Sequence, residues 1–289
     1  MNLQCGRRSK VEVIYLSNDN VEEYTEEQVM AIGFFDGVHL GHQALLAQAK
    51  KISDKENAYF SAMTFNPHPD EVIEGNYDRM YLTPLTEKIK KMSSIGVERL
   101  YIVTFDSSFA SLSPNDFIKK YIVRLNVIHV IVGFDFRFGF KARGNTKVLQ
   151  ELSRKHLFGL TVISKKTFQD EKISSTKIRN LIKVGMFEKV PYYMGENYQL
   201  NVTPTKRLGR KKIEVKSSDK YLIPDVGSYL VEVAYEGGKI QGVCQVIFCN
   251  KSKLRKLILI NVSVFSEILT IVFLKKINEK FMSQSNESV

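Results

Sequence analysis

The stretch Gly33–Leu46, "GFFDGVHLGHQALL", decides the fold. It begins in an apolar run from Val29 to Phe35 that reads as a buried strand, and it ends in Leu45, Leu46, Ala49 and Ile52, which recur at helical spacing. His39 and His42 therefore fall where a strand hands over to a helix. At i and i+3 they share one face of the first helical turn. That turn also has unpaired backbone N–H groups and the positive end of the helix dipole. Gly33, Gly37 and Gly41 let a backbone approach a ligand closely. The chemistry favours phosphate oxygens. A metal would lack a third ligand at suitable spacing and would be repelled by the helix start. Two ordinary cap or core histidines are the plain alternative.

Working outward, Val11–Leu16 alternates and reads as a strand, as do Ala58–Phe65, Arg99–Phe105, Val127–Gly133 and Leu160–Ser164. Helices are predicted over Thr86–Ile95, stopped by Gly96, over a segment capped by Ser113-Pro114, and over Lys147–Lys155. Ser174-Ser175-Thr176 caps a further helix from Lys177. Strands alternating with helices imply a parallel, doubly wound α/β sheet, with ligands beyond the carboxyl ends of its strands. The unusual stretches, 33–42, 65–69, 133–144 and 173–179, all lie at strand ends or helix starts. After Tyr192 the chain carries no histidine and turns strand-rich, with turns at Pro224-Asp225, Gly227 and Gly237-Gly238. A second, all-β domain is expected from about residue 190.

Lysine and arginine total 42 against 31 acidic residues, a formal charge of +11, which favours anionic partners without choosing among them. Cys5, Cys244 and Cys249 form no metal-spaced pair and no even set for disulfides, so free thiols in a reducing cytoplasm are expected. Arg7, Arg8 and Lys10 precede no apolar signal core, so no secretion signal is read. Leu257–Leu274 is about as long as a membrane helix, but Asn261, Ser263, Ser266, Glu267 and Thr270 interrupt it. Its β-branched content and the Ser266-Glu267 break fit the two strands of a hairpin better than a span.

Three further motifs bear on chemistry. Ser174–Arg179, "SSTKIR", groups hydroxyls and backbone amides at a helix start with an arginine one turn along, suited to bidentate phosphate contact; alone, it is only a capped helix. Phe65–Pro69, "FNPHP", offers an amide, an imidazole and a backbone that prolines fix as a loop. Asp135, Phe136 and Phe138, set among Gly133 and Gly139, offer a carboxylate and flat apolar rings, which are more often core than ligand platform.

"GFFDGVHLGH", "TFNPHP", "VIVGFDFRFGFKARGNT" and "ISSTKIRNLI" occur here in the order seen in the bacterial FAD synthetases, the bifunctional riboflavin kinase/FMN adenylyltransferases, and "LSPNDFIKKYIVRLNVIHVIVGFDFRFG" also resembles that family. The resemblance covers roughly residues 11 to 195. It implies a Rossmann-like nucleotidyltransferase domain over 1–188, followed by a smaller β-barrel-like domain of riboflavin-kinase type over 189–289. The implied reaction joins AMP from ATP to FMN, with Mg2+ on the phosphates. Gly33, Phe34, Phe35 and Asp36 would border ATP, with Gly41 allowing close approach. His39 and His42 would contact its phosphates, and Ser175, Thr176 and Arg179 would close on them from the other side. His39, His42 and Arg179 are the expected catalytic residues. Asn66, Pro67, Asp135, Phe136 and Phe138 would shape the flavin side. The metal ligands are not specified beyond substrate oxygens, Asn66 being the protein candidate.

"YLIPDVGSYLVEVAYEGGKIQGVCQV" still resembles the kinase module, but its glycine-rich LGFPTAN-like signature is missing. The corresponding stretch is Leu208–Glu214, where Lys212 and Glu214 stand in place of the Thr and Asn that would hold Mg-ATP. The expected catalytic glutamate near Leu259–Phe265 is absent, Asn261 and Ser263 being the polar residues there. The expectation is an FMN adenylyltransferase without riboflavin kinase activity. The alternatives are a flavin or nucleotide sensor, a transferase for another acceptor such as nicotinate mononucleotide or phosphopantetheine, and a bifunctional enzyme that keeps the kinase. The basic cluster Lys206, Arg207, Arg210, Lys211 and Lys212 reads as a solvated loop, since it lacks interleaved aromatics for nucleic acid. No membrane partner is expected, and the oligomeric state is open.

Overall fold

Residues apolar at every position of a short run need cover on both faces, and a central parallel strand supplies it. The computed structural model describes residues 10–217, 220–249 and 254–277; Cys5, Arg7 and Arg8 lie outside the described residues. Six parallel strands, β1 (Glu12–Leu16), β2 (Gln28–Ile32), β3 (Tyr59–Asn66), β4 (Arg99–Thr104), β5 (Val127–Gly133) and β6 (Gly159–Ile163), lie in the order β1-β4-β3-β2-β5-β6. Every residue of β2 is buried. Between the strands run α1 (Leu40–Glu56), α2 (Pro69–Ile73), α3 (Leu85–Ile95), α4 (Ser107–Ala110), α5 (Pro114–Ile118) and α6 (Thr146–His156).

The period-2 alternation of β2 divides the core. Val29 and Ala31 pack with Leu45, Leu46 and Ala49 of α1 and Met92 of α3. Met30 and Ile32 pack on the other face with Phe117, Ile118, Tyr121 and Leu149. The sheet is thus doubly wound. Its order reverses between β2 and β5, the point at which open α/β sheets bind ligands outside the carboxyl ends of their strands. The loops that follow β2 and β5 lie at that end.

Two local expectations change. The strand predicted to reach Phe35 ends at Ile32, because Phe35 takes a left-handed conformation, φ 56°. The proline-fixed loop after β3 is also the start of a helix. Pro69 is the first residue of α2, where a missing N–H costs nothing, and His68 caps it.

The chain divides into two units: one runs to Arg79 and includes Leu85–Thr167; the other joins Met80–Pro84 to the chain from Phe168 onward. A two-stranded ribbon, β7 (Thr167–Phe168) and β8 (Glu171–Lys172), precedes α7 (Ser175–Val184) and α8 (Pro191–Met194). The second unit holds a closed barrel of β9 (Gln199–Gly209), β10 (Lys212–Ser217), β11 (Gly227–Tyr235), β12 (Gly238–Cys249), β13 (Leu254–Ile260) and β14 (Leu269–Ile277). Alternation points Tyr229, Val231, Val233, Cys244, Val246, Leu259, Ile271 and Phe273 inward. Phe187 stacks on Phe273 at 4.7 Å and meets Tyr229 edge-on, joining the 3-10 turn after α7 to the barrel core. Burial pushes the Cys244 thiol up to about 12, so this cysteine is an inert core residue.

Leu257–Leu274 is two strands and no membrane helix, and no helix among the described residues is long and apolar enough to cross a membrane. The two strands do not form a hairpin, however. β13 pairs with β10 and β12, and β14 pairs with β11 and β9. Closure of the barrel places other strands between them, and the connection from Asn261 to Ile268 bridges the gap.

Gly139 has φ +71°, and a Cβ there would lie 2.9 Å from the Pro114 nitrogen. Backbone strain and overpacking act together at this position. Gly139→Ala should therefore cost about 1–3 kcal/mol in urea unfolding. A variant as stable as its parent would contradict this placement of the loop after β5.

Candidate functional site

The chain leaves β2 and enters α1 through a tight turn. Gly37 (φ 82°), Phe35 (φ 56°) and Val38 (φ 41°) are all left-handed. That conformation is uncommon for a non-glycine residue and an outlier for a β-branched one, so strain is stored here. Packing holds it: Phe35, Val38 and Leu46 are buried, and burying a leucine side chain contributes about 2 kcal/mol.

His39 is the N-cap of α1, and its Nδ1 accepts a hydrogen bond from the His42 backbone N–H at 3.3 Å. In the neutral ring the proton then sits on Nε2. The two imidazoles stack with centroids 3.6 Å apart and planes 12° apart. Phe35 meets the His42 ring edge-on at 5.2 Å. The His42 Nδ1 is buried without a hydrogen-bond partner. Burial, His39 and Lys88 together hold the His42 pKa well below the usual histidine range. A Cβ on Gly41 would lie 3.1 Å from the His39 ring, so glycine keeps the stack close to the backbone.

Lys88 escaped the sequence reading. Its buried ammonium donates to the Phe34 carbonyl at 2.7 Å and to the Thr64 hydroxyl at 3.2 Å. The Thr64 hydroxyl donates to the same carbonyl at 2.9 Å. The Lys88 ammonium lies 4.2 Å from the centre of the Phe34 ring. Burial lowers the Lys88 pKa to about 8, against an opposing pull from buried Asp36. The available signal was a lysine set among Leu85, Ile89 and Met92, on the stripe of α3 that faces the core.

The neighbouring strand ends carry the other expected residues of this unit. Asn66 closes β3 and is exposed, with a cis peptide to Pro67. His68 Nδ1 accepts from the Asp70 N–H at 3.1 Å, so it cannot also donate to the Asp70 carboxylate. That carboxylate is held instead by Arg79 at 2.6 Å. After β5, Asp135 is exposed, and Phe136 stacks on Phe138 at 5.5 Å. Phe138 is itself buried against Phe117. A Cβ on Gly144 would meet the Phe138 ring at 2.6 Å, so glycine is needed to close the loop over it. Asn66, Pro67, Asp135 and Phe136 thus share the strand-end edge with His39 and His42, while Phe138 is buried.

In the second unit, Ser174 caps α7 by accepting from the Lys177 N–H at 3.3 Å. Ser175 and Thr176 are helical residues of its first turn, not caps. Arg179 donates to the Met80 carbonyl at 2.7 Å. Lys212 and Glu214 point outward from the barrel, and Glu214 pairs with Lys256 at 3.0 Å. Asn261 and Ser263 are exposed beyond the end of β13. No group of three His, Cys, Asp or Glu among the described residues is arranged to hold a metal.

The description FAD synthetase belongs to the family model that matches residues 21–177. A bifunctional riboflavin kinase/FMN adenylyltransferase of Listeria monocytogenes is 36% identical over 245 residues, covering 82% of this chain and 78% of that protein. One of the same description from Bacillus subtilis is 37% identical over 234 residues, 78% of this chain and 73% of that one. An FAD synthetase of Listeria monocytogenes is 33% identical over 202 residues, 70% of this chain and 79% of that one. A crystal structure from Streptococcus pneumoniae, described as a macrolide-efflux protein, shares the fold with TM-score 0.83 at 23% identity, covering 94% of this chain and 96% of that one.

A histidine whose folded pKa lies below its unfolded value of about 6.5 makes the unfolded chain bind protons first on acidification. The fold is therefore fully favoured by neutral His42 above that value and loses stability as pH falls through it. In urea titrations at about pH 7 and pH 5, His42→Gln should lose less stability than its parent. Equal losses would contradict an uncharged, buried His42.

Proposed function

The chain belongs to the FAD synthetase family and is a nucleotidyltransferase, and from that premise we propose that it transfers AMP from ATP to FMN, giving FAD and pyrophosphate. The observation that carries the reading is the stacked His39–His42 pair at a helix start, beside the point where the strand order reverses. An FMN phosphate oxygen attacks the α-phosphorus of ATP. The new O–P bond forms as the bond to the β-phosphate oxygen breaks, and pyrophosphate leaves with the electron pair. No side-chain nucleophile is needed, so positioning and charge stabilisation carry the rate.

His39 and His42 donate ring N–H groups to phosphate oxygens as neutral imidazoles, along with the unpaired amides of the first turn of α1. Gly33, Phe34, Phe35 and Asp36 border ATP. Ser175, Thr176 and Arg179 are further phosphate contacts. Asn66, Pro67, Asp135, Phe136 and Phe138 form the flavin side. Magnesium would be held mostly by phosphate oxygens and water, with the Asn66 amide oxygen as the protein candidate, and would neutralise charge on the departing pyrophosphate.

Residues 1–188 are assigned to this chemistry and 189–289 to a kinase-like domain that no longer phosphorylates riboflavin. The support is Lys212 and Glu214 where the resemblance places metal-holding residues, with Glu214 committed to Lys256, and Asn261 and Ser263 where it places the base. The basic cluster of β9 and β10 is a solvated surface and not a nucleic-acid site, and the chain works in the cytoplasm without a membrane partner.

Product analysis with FMN plus ATP, and separately with riboflavin plus ATP, tests both halves. FAD and pyrophosphate should form from FMN, and no FMN from riboflavin. His42→Ala should fold and lose about a hundredfold or more in kcat. ATP binding without FAD formation would make the protein a nucleotide sensor instead, and FMN made from riboflavin would restore the kinase.

A further inference from the structure

The lysine on the apolar stripe of α3 is used by none of the steps above. Burying an ammonium is costly, and a well-packed apolar side chain at such a site is usually neutral or stabilising. The hydrogen bonds of Lys88 go to neutral oxygens, the Phe34 carbonyl and the Thr64 hydroxyl, rather than to a carboxylate. The charge is therefore not cancelled by contact, and it sits under the turn that leads into the histidine pair.

Peptide geometry gives this placement a consequence. A trans peptide points its carbonyl and its N–H in opposite directions. Lys88 and Thr64 hold the Phe34 carbonyl, so the Phe35 N–H points the opposite way from them. The next residues are the left-handed Phe35, then Gly37 and Val38, which set where His39 begins α1. Lys88 fixes the first peptide of this strained turn.

We propose that Lys88 is a positioning residue of the transferase site, orienting the Phe34–His39 turn through the Phe34 carbonyl and supplying fixed positive charge beneath the ATP phosphates. This rests on the adenylyltransferase reading above. The groups that face the ammonium are Asp36 from the turn and His42 from α1, with Thr64 from β3 and the Phe34 ring, against which His68 packs edge-on. Asp36 favours the charged form of Lys88, whereas His42 is neutral and does not oppose it.

The test compares parent, Lys88→Met and Thr64→Val in steady-state FAD formation, with melting curves alongside. In Lys88→Met, kcat/KM for ATP should fall about a hundredfold while KM for FMN stays within about twofold. In the parent, kcat/KM for ATP should decline as pH rises through about 8, the value at which Lys88 loses its proton, and Lys88→Met should lack that limb. Thr64→Val keeps the side-chain shape and removes one donor to the Phe34 carbonyl. It should lower kcat about tenfold while still melting as a folded protein, and it decides the matter if Lys88→Met does not fold. A Lys88→Met enzyme with parental kcat/KM and an unchanged alkaline limb, or a Thr64→Val enzyme with parental kcat, would overturn the role. If the parent itself makes no FAD, the adenylyltransferase reading fails and not this one alone.

Discussion

Everything at the site depends on how the chain gets from β2 into α1. The central strand ends at Ile32 and the helix begins at Leu40, so the turn between them must reverse direction beside the sheet. It does so with Phe35, Gly37 and Val38 in left-handed conformations. Residues so held cost about 1–3 kcal/mol each where they are not glycine. Burial of Leu45, Leu46, Phe35 and Val38 in one core offsets that cost, because each buried apolar side chain contributes about 1.5–3 kcal/mol. The strained turn is stable because the helix behind it packs well, and the His39 cap bond at 3.3 Å adds little.

The electrostatics follow from the same geometry. The start of α1 presents unpaired amides, two stacked imidazoles cannot both take a charge easily, and Lys88 adds positive charge below. The result is a site rich in N–H donors with one buried ammonium, which complements a polyanion. The chain's formal charge of +11 does not make this case; the placement of three or four groups does. The barrel is built on other terms, around an aromatic core of Phe187, Tyr198, Tyr229 and Phe273.

Most of the sheet was legible because period and punctuation agree along it. β2 reads as buried on both faces, Gly96 stops α3, and Ser113-Pro114 starts α5. The histidine pair was legible from its i, i+3 spacing at a helix start, although His39 proves to be the extended cap of α1 and not a residue of its first turn. Other features depend on contacts that no local pattern encodes. Lys88 on an amphipathic helix looks like a long side chain reaching for water, and only the tertiary fold shows it turned inward to the Phe34 carbonyl. The strands at 254–260 and 269–277 were visible, but their partners were not, since alternation gives faces and not neighbours. The sequence left Phe138 open between core and ligand platform, because only the tertiary fold shows Gly144 and Phe117 enclosing its ring.

The central claim is that the stacked imidazoles contact ATP phosphates as neutral donors. Nitrogen-detected NMR of the histidine side chains, titrated with a non-hydrolysable ATP analogue at neutral pH, tests it most directly. The account predicts that the His39 and His42 ring nitrogens shift on saturation with the signatures of neutral rings, while those of His156, hydrogen-bonded to Asn115, stay in place. Saturable analogue binding that leaves the His39 and His42 resonances unmoved would contradict it.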